Sequence, residues 1–143
     1  MTANPKSFRR ILLASAGLLI MVAIILIVGV IPPVKADTYQ FAAPDRAAPA
    51  FWVMVVFSLL TAAAIGSNAI RATVRSRRLL VNFGILAFIV LLFALALTDA
   101  AFAFRGHGPD MQTASALLFL CVAADVLAAV LSFTTVFLLP KQA

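Results

Sequence analysis

A chain of 143 residues that is 64% hydrophobic and 11% charged, with a mean hydropathy of +1.13, does not fit a soluble globular domain. Such domains average about 45–50% apolar and about 25% charged residues, so a bilayer must be the solvent for most of this surface. The formal charge of +6 does not point to nucleic acid, because the basic residues flank apolar runs instead of forming a basic face with interleaved aromatics.

Four apolar segments follow one another, and the expected architecture is an all-α four-helix transmembrane bundle forming one domain. The first segment runs from about Ile11 to Val30 without a charge. As a helix it rises about 30 Å, enough to cross the hydrocarbon core. Ile31-Pro32-Pro33 should end it, since proline lacks the N–H donor and restricts the residue before it. Lys6, Arg9 and Arg10 before this run, with Val34-Lys35-Ala36 after it, also fit a signal peptide. The apolar run exceeds the usual h-region of about 7–15 residues, which favours a retained helix.

The stretch from Pro32 to Pro49 reads as a short exposed loop. Segment two, about Ala50 to Ile70, opens with Phe51 and Trp52, residues suited to the membrane interface. A basic turn with Arg71, Arg75, Arg77 and Arg78 leads into segment three, about Leu79 to Phe104. The link Arg105-Gly106-His107-Gly108-Pro109-Asp110 should interrupt helix, and segment four covers about Met111 to Leu139 before Pro140.

Orientation follows from the basic residues. Eight of them (Lys6, Arg9, Arg10, Arg71, Arg75, Arg77, Arg78 and Lys141) fall on one side, and Lys35, Arg46 and Arg105 on the other. The rich side is expected to be cytoplasmic, which places both termini there. The four arginines of the turn are candidates for contact with anionic lipid headgroups, and Arg71, Arg75 and Arg78 would share a face if the helix ran on past Ile70. A plain topological anchor uses the same residues.

Asp125 is the residue that costs the fold most. It lies near the bilayer midplane, where insertion scales charge roughly 2.5–3.5 kcal/mol for an aspartate, so it should face other helices. Ala114, Leu118, Cys121, Asp125, Ala128 and Ser132 recur at helical spacing as a small, mildly polar stripe. Segment two offers Ser58, Thr61, Ala62, Gly66 and Ala69 as a partner face, with both hydroxyls near mid-span. No Lys or Arg shares that depth, so the neutral carboxyl is expected to donate a hydrogen bond. The favoured reading is an interhelical polar clasp; the alternative is a proton or cation site.

Asp99, beside Thr98, is the other intramembrane acid, roughly 7–8 Å from the outer end of its helix and within reach of interfacial water. It differs from Asp125 by about 10 Å in depth, too far to share a proton. Small-residue spacings at Ala62-x-x-x-Gly66, Ala96-x-x-x-Ala100 and Ala124-x-x-x-Ala128-x-x-x-Ser132 favour close helix packing. No Gly-rich phosphate loop, metal-ligand cluster or nucleophile–base pair is present, and no Glu occurs at all. No enzymatic activity, cofactor or metal is therefore expected. The lone Cys121 excludes an intramolecular disulfide.

The basic N-terminus, four spans, short outer loop and basic inner turn together resemble the MARVEL-domain tetraspans. The third segment carries the likeness best, in Leu80-Val81-Asn82-Phe83-Gly84 and in Leu97-Thr98-Asp99-Ala100-Ala101-Phe102-Ala103. The resemblance implies a noncatalytic role in organising membrane domains, trafficking or junctions. The small loops leave little surface for a soluble ligand, so the expected partners are lipids, other membrane proteins or further copies of the chain, in the plasma membrane or an endomembrane. The competing expectation is a proton- or cation-coupled transport subunit built on Asp125. Against it, no Pro or Gly breaks a segment in its middle, as transporter sites usually require.

Overall fold

The computed structural model describes residues 5–31, 44–71, 75–105 and 109–139. It is all-helical. Helix α1 spans Pro5–Ile25 and continues as a π-helical turn over Leu26–Val30; α2 spans Pro44–Arg71, α3 Arg77–Arg105 and α4 Pro109–Thr135, followed by a 3-10 turn at Val136–Leu138. All four helices are long and apolar enough to cross a membrane, the spans being Lys6–Val30, Ala50–Arg71, Arg77–Phe102 and Gln112–Thr135. This is the architecture of a multi-pass integral membrane protein. The residues around Lys35, Asp37 and Tyr39, the Gly106-His107-Gly108 link and Lys141 lie outside the described residues.

Each helix begins earlier than its apolar run suggests, and proline explains three of the four starts. Pro5, Pro44 and Pro109 open α1, α2 and α4. At a first helical position the missing N–H is not needed and the fixed φ already suits the helix. The second half of the expected loop, from Pro44 to Pro49, is therefore the start of α2. Helix α3 begins through a cap: the Leu79 N–H donates to Ser76 Oγ at 3.1 Å, and the Leu80 N–H donates to the Ser76 carbonyl at 3.1 Å. A serine cap of this kind is worth about 1 kcal/mol. It also makes Ser76 a break, so α2 and α3 are not one continuous helix that would align Arg71, Arg75 and Arg78 on one face. At the other end of the chain, Leu139 is extended (φ −81°, ψ 150°), as the residue before a proline prefers.

The helices pack in the order α2–α1–α4–α3. The α3–α4 contact is the most extensive, followed by α1–α2 and then α1–α4, while α2 and α3 barely touch. Phe57 and Phe93 bridge that last gap, with ring centroids 5.9 Å apart. Helix α1 is thus central and contributes to both halves of the core. One apolar cluster gathers Phe8, Leu12 and Leu19 of α1, Ile65 of α2, Phe83 of α3 and Ala128 and Val136 of α4. The other gathers Val22, Leu26 and Val30, Phe51 and Val55, Leu97 and Ala101, and Ala114, Leu118 and Cys121. The π turn lets α1 approach α4 closely, and a Cβ added at Gly29 would run into the Leu117 side chain.

Small residues do their expected work on α4 only. Ala124, Ala128 and Ser132 are all buried. Of the Ala62/Gly66 pair on α2, Ala62 is buried, while Gly66 faces enough space for a methyl group. On α3, Ala96 is exposed on the outer surface. The Ala62/Gly66 and Ala96/Ala100 pairs are therefore not close-packing motifs within this bundle.

Candidate functional site

The two apolar clusters meet at mid-span, and of the buried polar residues Ser58, Thr61 and Asp125 lie between them. Asp125 falls between Cys121 and Ala124 of one cluster and Ala128 of the other, near the middle of the Gln112–Thr135 span. It is fully buried, and so is the rest of the expected stripe from Ala114 through Ser132. One turn away, the Cys121 thiol points at the Val22 carbonyl of α1, with Sγ 4.0 Å from the oxygen. That is a weak contact, and it fixes which side of α4 faces α1.

The hydroxyls expected to meet Asp125 do not reach it. Ser58 and Thr61 are buried on α2 at a similar level, but α2 packs chiefly on α1, which stands between it and α4. The Thr61 hydroxyl donates instead to the Phe57 carbonyl of its own helix at 2.7 Å. Neither carboxyl oxygen of Asp125 has a hydrogen-bond partner among the described residues. The clasp is thus corrected: the structure brings Asp125, Ser58 and Thr61 to one layer without joining them. An unpartnered polar group in a dry interior is costly and rare, and calls for an explanation.

The interhelical hydrogen bond that does form was not signalled by the sequence. Ser115 Oγ donates to the Ala101 carbonyl across α3 and α4 at 2.7 Å, both residues being buried. Such bonds average about 0.6 kcal/mol inside membranes. A single serine beside alanines carries no periodic pattern, so nothing short of the helix pairing would have singled it out.

Asp99 lies elsewhere. It is exposed on the outer surface of α3, in a shallow groove of about 500 Å³ lined by Leu92, Leu95, Ala96, Thr98 and Phe102. It has no hydrogen bond or ion pair among the described residues, and the neighbouring Thr98 hydroxyl donates to the Ala94 carbonyl at 2.7 Å. Helix α3 is also the least covered of the four: 22% of its most apolar stretch is buried, against 39% for α1 and α4.

Seven basic residues lie at one end of the bundle, where α1 and α3 begin and α2 ends, while Arg46 near the start of α2 and Arg105 at the end of α3 belong to the other end. Lys6, Arg9, Arg10, Arg71, Arg77 and Arg78 are all exposed there. Arg75 is half-buried, its guanidinium 5.2 Å from the centroid of the Phe137 ring. This cation–π contact ties the α2–α3 turn to the end of α4 and is worth about 0.5–1 kcal/mol at an exposed site. Among the described residues there is no group of three or more His, Cys, Asp or Glu side chains able to hold a metal ion.

Comparison with known proteins gives no matching family model, no matching curated protein and no matching solved structure. The chemistry of the chain is therefore argued from its own residues.

Proposed function

We propose that this chain is a noncatalytic tetraspan that assembles laterally with other membrane proteins and lipids, with both termini on the cytoplasmic side. The observation that supports it most is the outward face of α3, apolar over most of its length, little covered by the bundle and interrupted by an acid with no partner among the described residues. The apolar part of this face suits lipid, but the acid within it does not. The resemblance to MARVEL-domain tetraspans favours the same role in organising membrane domains. The exposed arginines Arg71, Arg77 and Arg78, with Arg75 beside them, suit anionic headgroups of the cytoplasmic leaflet, each contributing about 1 kcal/mol near such a surface. The positive-inside asymmetry of the sequence supports that orientation.

Extraction in polymer-bounded native nanodiscs tests the proposal. Particles should contain this chain together with a second protein or a further copy of itself. Particles holding one copy and lipid alone would remove the basis for a scaffold.

One observation favours a second reading. A buried carboxyl without a protein partner near mid-span, as at Asp125, is the kind of group that a proton or cation pathway uses. In reconstituted vesicles a transport subunit should pass protons or cations, and Asp125→Asn should abolish the flux while leaving the folded yield intact. The scaffold reading expects flux no greater than that of protein-free vesicles, for wild type and variant alike.

A further inference from the structure

We propose that the outward face of α3 around Asp99 is a docking seam for one membrane-spanning helix of another protein, and that this helix carries a lysine or arginine in its outer third. The inference rests on the lateral-assembly reading and specifies the partner's chemistry.

The spacing is that of a helix–helix seam. Leu92, Leu95, Asp99 and Phe102 fall at i, i+3, i+7 and i+10, the a/d rhythm along which two helices wind together. Ala96 lies in the same groove, exposed and small, which lets a second backbone come close. The groove is empty of this chain's own helices, and the bundle's small-residue packing lies elsewhere, on α4.

The acid then selects the partner. Asp99 lies six residues inside Arg105, where α3 ends, or about 9 Å along the axis. Side chains on a helix lean toward its N-terminus, which for α3 is the distant end at Arg77. The carboxylate of Asp99 is therefore carried inward over Leu95 and Ala96 and away from the nearer interface. Its short side chain reaches interfacial water less readily than a lysine at the same depth would. Of the basic residues of α3, Arg77 and Arg78 lie about 30 Å away at the far end of the helix, and Arg105, six residues beyond Asp99, falls about 120° round the helix from it. An acid held in lipid without an opposite charge is expensive, and the established remedy is pairing. Charge complementarity thus asks for a basic side chain at the same depth on the arriving helix. A symmetric second copy would instead bring acid against acid.

The test uses a model Leu/Ala transmembrane peptide with one lysine two turns from its outer end, and the full chain in phosphatidylcholine vesicles. Association is read by energy transfer. The lysine peptide should bind at least tenfold more tightly than the same peptide with leucine at that position. Asp99→Asn should erase the preference, and Asp99→Lys should transfer it to a peptide bearing aspartate in place of lysine. Equal binding of the lysine and leucine peptides to wild type overturns the basic partner. Multi-protein nanodisc particles would in that case still leave lateral assembly standing. A lysine preference that survives Asp99→Asn places the contact elsewhere and also overturns it. So does self-association that Asp99→Asn abolishes and that excludes the peptide, since the occupant is then a second copy.

Discussion

Asp125→Val should stabilise the folded bundle by about 1–3 kcal/mol, measured by unfolding in mixed detergent micelles. Folding buries a carboxyl whose two oxygens find no partner among the described residues. When the helices separate in mixed micelles, water defects and detergent headgroups can reach the same group. The difference is the cost of burying an unsatisfied polar group, about 1–3 kcal/mol in mutational series. Valine removes that cost with only a modest change of volume. Asn keeps a polar group without a partner, so it should remain near wild-type stability. The opposite result is equally informative. If valine destabilises the bundle, Asp125 gains a partner in the bilayer, whether water or a bound cation, and the transport reading takes precedence.

The second large effect is expected at Phe83. Its ring is fully buried in the cluster at the basic end of the bundle, which also holds Phe8, Leu12 and Leu79. In a soluble core, Phe→Ala costs about 3–5 kcal/mol, part of it lost hydrophobic transfer and part an unfilled cavity. In a bilayer the transfer part shrinks, because lipid tails solvate a separated helix as well as the core does. Phe83→Ala should therefore cost about 2–3 kcal/mol, most of it lost packing. Phe88, five residues along the same helix, is 61% exposed. Phe88→Ala should change stability by no more than about 0.5 kcal/mol. Equal losses at the two positions would mean that α3 is rotated relative to the packing described above.

The contrast between these two phenylalanines shows what the sequence could and could not reveal. Four long apolar runs made the helices legible, because nothing else satisfies the backbone in lipid. The stripe on α4 was legible too, since small and polar residues stand out when everything else is bulky and apolar. The pairing of helices was not. In water an amphipathic pattern marks the buried face, but here the exposed face of α3 is as apolar as its buried face. Phe83 and Phe88 therefore look alike in the sequence. The helix starts were missed for another reason: Pro44 and Pro109 were taken as breakers, although a proline is also at home in a first turn. The expected meeting of Ser58 and Thr61 with Asp125 failed because matching depth does not establish adjacency, and α1 occupies the intervening place.

The packing order α2–α1–α4–α3 also bears on how the protein is made. Consecutive helices form the two largest contacts, so the chain is a pair of helical hairpins joined chiefly where α1 meets α4. Each hairpin can close as soon as its second helix leaves the insertion machinery, before the other exists. The short connection between Arg71 and Arg75 then serves as a tether that raises the local concentration of one hairpin near the other. Severed there and expressed as two polypeptides, the halves should still find one another in the membrane.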